Sequence, residues 1–166
     1  MTFKNELQRL IAGHAAFTPP SRIVDGIAEE LWNARPAGVP HSIVEELWHV
    51  VYWLDRFLSW ARGEFLPYPA SSAEGWRTFA SVTPNEWDAL RSRFLEGLDD
   101  ACRLAESPVA ELSVKTASCV EPGADRLSVY DVLINIAAHN AYHLGRIVQL
   151  RQMLGNWPPQ GGGDSW

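Results

Sequence analysis

Two histidines, His139 and His143, stand four residues apart within a strongly periodic hydrophobic segment near the end of the chain. Apolar residues recur around them at helical spacing, so both imidazoles lie on the face that would enter a core. That face comprises Val132, Ile136, His139, His143, Ile147, Leu150 and Leu154. A buried ring without a partner costs about 1 to 3 kcal/mol. A metal ion shared by the two rings would remove that cost.

A metal site needs at least one further ligand, and His49 is the leading candidate. It belongs to a second helical segment, on the row of residues that flanks its apolar stripe, namely Glu46, His49, Trp53, Arg56 and Trp60. The alternative is that His139 and His143 are core histidines, hydrogen-bonded to each other, to Asn135 or to water. The spacing of the residues alone leaves both interpretations open.

Four long helices are predicted to position these residues, and no alternating strand pattern competes with them. The first covers about residues 2–17 and stops before two prolines, and a shorter helical piece follows over 21–33. The other three begin at capping boxes and are predicted over about 42–63, 83–107 and 128–155. The boxes pair Ser42 with Glu45, Thr83 with Glu86, and Ser128 with Asp131.

The connections between these helices are unequal in length. Residues 64–82 predict a long crossover with at most one short helical turn, and residues 109–127 predict a second connection with a short extended piece over Ser113–Val120. Four such helices favour an all-α four-helix bundle that can hold a metal between facing helices. We expect one domain over residues 1–166, with a non-helical tail at 156–166.

The composition argues against several classes of function. A net charge of −6, with 14 scattered lysines and arginines, speaks against a nucleic-acid partner. No stretch resembles a membrane span or a signal peptide, and the two cysteines suggest no disulfide framework. The expected location is therefore the cytoplasm, without a membrane partner. Cys102 is expected to pack as a small apolar side chain.

Several motifs together resemble the DinB family, also called the DinB/YfiT-like metalloenzymes. They are Arg35-Pro36, His41-Ser42-Ile43 with His49 eight residues after His41, Gly63-Glu64, Tyr130-Asp131, and the run from His139 to Ile147. The ending Asn156-Trp157-Pro158-Pro159, with Gly163-Asp164-Ser165-Trp166, resembles that of one branch of the family. The most specific part is the single histidine on the second long helix combined with the histidine pair on the fourth.

The resemblance implies a four-helix bundle of DinB/YfiT-like type with long crossover connections. It also implies that His49, His139 and His143 bind a divalent metal. Three neutral imidazoles leave at least one coordination position open, which is typical of a catalytic site. Imidazole ligands favour zinc or nickel, with iron or manganese as alternatives, over calcium or magnesium.

Glu46 departs from the family, which commonly has apolar residues at this point of the second long helix. It lies three residues before His49, so it could orient the imidazole from the second shell, add a carboxylate ligand or act as a base. The favoured interpretation is a solvated surface residue. His41 is expected in a surface loop rather than at the mouth of a cleft, and His14 near the end of the first helix, where it favours the helix dipole.

Some relatives in the family are thiol-dependent enzymes, including S-transferases. The resemblance therefore implies a metal-dependent enzyme acting on a small molecule, first of all a transferase with a low-molecular-weight thiol as cosubstrate. Metal-dependent hydrolysis is the alternative within the enzymes. The non-catalytic alternative is a metal-binding interaction protein of the stress response, whose residues Trp48, Trp53 and Trp60 would form a homodimer face.

Overall fold

A computed structural model of the chain describes residues 5–14, 17–116 and 126–159. Over these ranges the chain is helical and forms no strand, which agrees with the predicted all-α class. The helices are α1 (Glu6–Ile11), α2 (Pro20–Ile23), α3 (Ile43–Ala61), α4 (Pro84–Leu104), α5 (Val109–Leu112) and α6 (Val129–Met153). Single 3-10 turns lie at Glu29–Leu31 and Ser72–Gly75. Among the helices described, none combines the length and apolar character needed to cross a bilayer.

The three longest helices begin at the predicted capping boxes. The carboxylates of Glu45, Glu86 and Asp131 each accept a hydrogen bond from the backbone N–H of the cap residue three positions earlier. These bonds satisfy backbone donors that have no partner inside the helix. Two of these helices end just before Gly63 and Gly155, which adopt positive φ angles of 82° and 72°.

The N-terminal region is less regular than predicted. Helix α1 covers Glu6–Ile11, with Asn5 as its cap, and ends well before residue 17 because the chain turns at Gly13, whose φ is 78°. Residues 1–4 and 15–16 lie outside the described part. The single helix predicted over 21–33 is also wrong, since α2 and a 3-10 turn are separated by Gly26 with a φ of 62°.

Helix α3 occupies a central place, because it packs against both α4 and α6, while α1 also contacts α4 and α6. Gly97 on α4 permits a close approach to α3, since an added Cβ would lie 2.7 Å from Cδ2 of Leu54. The apolar faces of these helices form one cluster of buried residues. The histidines of α3 and α6 therefore face each other across a packed interface.

The crossover between α3 and α4 folds back onto α3. The indole of Trp60 donates to the carbonyl of Leu66 at 2.9 Å, and the amide of Asn33 donates to the carbonyl of Phe79 at 2.7 Å. Trp60 is 1% exposed, so it is not available for the predicted dimer face, and only Trp48 and Trp53 of that group are partly exposed. Between Leu66 and Phe79, the 3-10 turn Ser72–Gly75 contacts α3.

The second connection contains α5, which was not predicted, and then one isolated antiparallel bridge between Lys115 and Ser128. The extended piece expected over Ser113–Val120 does not begin at Ser113, which is the helical C-cap of α5, and among its described residues Lys115 forms the bridge. Residues 117–120 lie outside the described part. Residues 156–159 are non-helical, as predicted for the tail, and residues 160–166 are not described.

Candidate metal centre

The structure brings His49, His139 and His143 together. His49 comes from the middle of α3, and the other two come from successive turns of α6, where a spacing of four residues puts them on one face. One ring nitrogen of each histidine lies within 4.8 Å of the others. The convergence predicted for these three residues is therefore present in the fold.

The distances within the cluster suit one metal ion. Nε2 of His139 lies 3.3 Å from Nε2 of His49. Two nitrogens each about 2.0 to 2.1 Å from a tetrahedral zinc ion are about 3.4 Å apart, so this separation fits a shared ion. The ring of His143 lies 4.4 Å from that of His49 and 4.5 Å from that of His139, between centroids.

Hydrogen bonds fix the tautomers of two of the rings. Nδ1 of His49 lies 2.6 Å from the carbonyl oxygen of Gly75, and Nδ1 of His143 lies 2.8 Å from Oε2 of Glu46. Because a carbonyl and a carboxylate only accept hydrogen bonds, both Nδ1 atoms carry the proton. In the neutral form of each ring, Nε2 is then the nitrogen with a lone pair, and such outer partners are usual for metal-binding histidines.

The hydrogen-bonding capacity of the His139 ring is incompletely satisfied by the described residues. Its Nδ1 is buried and has no hydrogen-bond partner of good geometry among the described residues. The neighbouring Asn140 lies close enough to favour the charged ring slightly, but its amide nitrogen is also unpartnered. Within the described part of the chain, His139 therefore has a ring partner only at Nε2, which lies 3.3 Å from Nε2 of His49, and its hydrogen bonding is incomplete at Nδ1.

Burial keeps two of the histidines neutral. It is the main cause that lowers the pKa of His49 to about 4 and that of His139 to about 3. The neighbouring histidines lower both pKa values further, while the Gly75 carbonyl acts in the opposite direction on His49. At neutral pH these two rings are unprotonated at one nitrogen, which is the form that binds metals.

Glu46 is not the solvated surface residue that the sequence favoured. It is fully buried, at 0% exposure, and its two oxygens accept from Nδ1 of His143 and, at 2.7 Å, from Nε of Arg146. Burial alone would raise the pKa of Glu46, but the hydrogen bonds from His143 and Arg146 outweigh it and lower that pKa. Glu46 thus orients a candidate ligand as an anionic outer partner, one of the roles weighed for it.

Three groups at the site were not found from the sequence: the carbonyl of Gly75, the indole of Trp76 and the guanidinium of Arg146. Trp76 stacks on His49 with 4.0 Å between centroids and an interplanar angle of 12°. Trp76 also meets His143 edge-on at 5.9 Å and stacks on His41 with 3.6 Å between centroids, so His41 borders the site rather than lying free in a loop. Of these three groups, only Arg146 had a signal in the sequence, because it stands three residues after His143.

The remaining candidates lie elsewhere. His14 is exposed in the turn after α1 and does not belong to the three-histidine cluster. Cys102 is buried in α4, as predicted, and burial is the main cause that raises the pKa of its thiol to about 11. A thiol that remains protonated at neutral pH is a poor nucleophile, so Cys102 acts as a packing residue.

Comparison with known proteins supports the resemblance seen in the motifs. No curated protein and no solved structure gives a significant match to the chain. The sequence model of the DinB superfamily matches residues 21–147, a range that includes all three clustered histidines, Glu46 and Arg146. On this match over most of its length, the chain belongs to the DinB superfamily.

Proposed function

We propose that the protein binds one divalent metal ion through His49, His139 and His143 and uses it in an enzymatic reaction on a small molecule. The observation that carries this proposal is the pair of Nδ1 hydrogen bonds to Gly75 and Glu46, which make Nε2 the ring nitrogen of His49 and His143 that can bind a metal. Zinc or nickel suits three imidazoles best, with iron or manganese as alternatives. The family supports a four-helix bundle of DinB/YfiT-like type around this centre.

A metal ion held by three neutral imidazoles would supply Lewis acidity and an open coordination position to a water or thiol nucleophile. The chain's own residues prepare the site for it. Glu46 holds the proton of His143 on the side away from the cluster, and Arg146 holds the second carboxylate oxygen. Their combined effect is to keep His143 in one orientation without adding a carboxylate ligand.

The same arrangement favours a thiol over water as the nucleophile. A hydrolase commonly uses a free carboxylate as general base beside the metal. Both oxygens of Glu46 are already engaged, and the candidate ligand cluster of the described residues contains no other carboxylate. A low-molecular-weight thiol loses its proton more readily than water, so it depends less on a base. We therefore place S-transfer first and metal-dependent hydrolysis second.

The substrate would approach on the side of His139, which among the three residues is the one of intermediate exposure, the other two being buried. Trp53 and Phe57 lie beside it, each with 6.1 Å between centroids, and the half-exposed Tyr68 lies against Trp53. These aromatic side chains form a rim that suits a small molecule with an apolar or planar part.

Metal binding is tested first, by elemental analysis and by zinc competition against a chromophoric chelator. We expect one ion per chain, lost in His139→Ala and retained in His14→Ala, the matched control for an exposed histidine. The metal-loaded protein is then assayed with panels of thiols and electrophiles, and with esters and amides, before and after chelation. A wild-type protein that binds no ion, or that keeps full activity after chelation, would refute the proposal.

A further inference from the structure

The crossover turn Ser72–Gly75 and the following Trp76 contact His49 in two different ways. The carbonyl oxygen of Gly75 accepts the Nδ1 proton of His49 in the plane of the ring. The indole of Trp76 covers the face of the same ring, with 4.0 Å between centroids and an interplanar angle of 12°. One contact selects the tautomer, and the other covers the ring's face.

These two contacts constrain different motions. A hydrogen bond from Nδ1 leaves the imidazole able to tilt about the axis of that bond. A stacked neighbour opposes the tilt, because it would bring the edge of the imidazole into the indole. Trp53 meets the ring of His49 nearly edge-on, at 6.4 Å and 69°, and His143 lies at 4.4 Å, so the ring has neighbours on several sides.

His41 contacts Trp76 on the face opposite His49. The ring of His41 stacks on it with 3.6 Å between centroids and an interplanar angle of 6°, so the indole lies between two imidazoles. The turn also fits α3 closely, because a Cβ added to Gly75 would lie 3.2 Å from Nε1 of Trp53 and 3.5 Å from Nδ1 of His49. The position of Trp76 is therefore determined by contacts on both faces and by the turn before it.

We infer that Trp76 is a positioning residue that holds the imidazole of His49 in the orientation in which its Nε2 meets the other two histidines. This inference rests on the proposed function only for its consequence, which is metal affinity. The orientation of His49 is a property of the metal-free protein. Loss of an outer partner of a ligating histidine typically lowers metal affinity by about 10- to 100-fold. For Trp76→Leu we expect a loss of metal affinity at the lower end of this range, since the Gly75 carbonyl still accepts the Nδ1 proton of His49.

The test uses the full chain with three substitutions. Trp76→Leu removes the stacked ring, and Trp76→Phe keeps an aromatic face. Trp48→Leu is the matched control, because Trp48 precedes His49 on α3 and stacks on Tyr52 instead. The first measurement is the NOE spectrum of the histidine ring protons in the metal-free protein, which reports the orientation of the His49 ring relative to His139 and His143. The second is zinc affinity by chelator competition.

We expect ring-proton NOEs between His49 and His139 in the wild type, in Trp76→Phe and in Trp48→Leu, because the two Nε2 atoms lie 3.3 Å apart. In Trp76→Leu these NOEs should weaken or disappear, because the ring of His49 can tilt about its bond to Gly75. Zinc affinity should fall about tenfold in Trp76→Leu alone. An unchanged His49 spectrum in Trp76→Leu would overturn the inference, and so would an equal loss of affinity in Trp48→Leu. If the wild type binds no zinc, the proposed function fails, and the spectrum of the metal-free protein still decides the role of Trp76.

Discussion

Replacement of Glu46 by glutamine keeps the size of the side chain and removes its charge. The carboxylate accepts from Nδ1 of His143 at 2.8 Å and from Nε of Arg146 at 2.7 Å. A glutamine offers one accepting oxygen and one donating amide group, so it can serve only one of these two donors. The other donor then faces the amide N–H of the new side chain.

The magnitude follows from the exposure of the two donors. A hydrogen bond to a charged group contributes about 1.5 to 3 kcal/mol. The side chain of Arg146 is 31% exposed and can form a hydrogen bond to water instead. Loss of its bond to Glu46 therefore costs an amount at the lower end of this range. The side chain of His143 is only 8% exposed and cannot. We expect Glu46→Gln to lower the free energy of unfolding of the metal-free protein by about 2 kcal/mol.

Metal affinity should fall as well, by about 10- to 100-fold, because the orientation and basicity of His143 depend on this carboxylate. The assay combines urea unfolding at neutral pH in the presence of a chelator, followed by far-UV circular dichroism, with zinc competition. Glu96→Gln, an exposed carboxylate on α4, is the control and should change neither quantity. A Glu46→Gln protein with wild-type stability and zinc affinity but reduced turnover would refute this reasoning and identify Glu46 as a base.

Three further predictions follow from the same geometry. His143→Ala should lose bound metal while its circular dichroism remains helical, because the core is built from apolar helix faces. In chelator, stability should fall as the pH is lowered through 6.5, since the unfolded chain then binds protons that His49 and His139 do not accept until about pH 4 and 3. With both rings contributing, the slope approaches about 2.7 kcal/mol per pH unit. Relative to Gly145→Ala, which brings the same gain in helix propensity, Gly97→Ala should cost about 1 to 3 kcal/mol, because its Cβ would lie 2.7 Å from Leu54.

Each of these predictions has an outcome that would contradict it. Retention of stoichiometric metal in His143→Ala would remove this residue from the ligand set. A stability that stays level between pH 7 and pH 5 in chelator would mean that the two rings are not buried in neutral form. Gly145→Ala is the control for Gly97→Ala, because a Cβ at this position of α6 meets no atom within 4 Å. Equal stability of the two alanine variants would contradict the close packing of α3 and α4.

The helical frame was predictable because its signals are local. The capping boxes at Ser42, Thr83 and Ser128 specify where α3, α4 and α6 begin, and apolar periodicity specifies which faces are buried. The N-terminal segment was predicted less well, because Gly13 and Gly26 interrupt it with backbone turns that periodicity does not reveal.

The error at Glu46 has a physical explanation. Charged residues are mostly exposed, and that general tendency was applied to α3 alone. The partner that allows Glu46 to be buried is on α6, where His143 and Arg146 stand three residues apart, as Glu46 and His49 do on α3. The sequence therefore did contain a signal, namely two pairs of polar groups with equal spacing on two helices. This signal can be recognised only when α3 and α6 are considered together.

The outer partners of the three histidines differ in kind, and this difference bears on how the site would work. His49 is held by a backbone carbonyl from the crossover and His143 by a side chain on the facing helix. For His139, the described residues provide no well-formed hydrogen bond at Nδ1, and the residue has intermediate exposure whereas the other two are buried. Since outer partners restrict the movement of a ligand, His139 is the ring that, within the described part of the chain, lacks this restraint at Nδ1. The entry of a substrate beside Trp53 and Phe57 would therefore be accommodated by His139, while the other two rings keep their places.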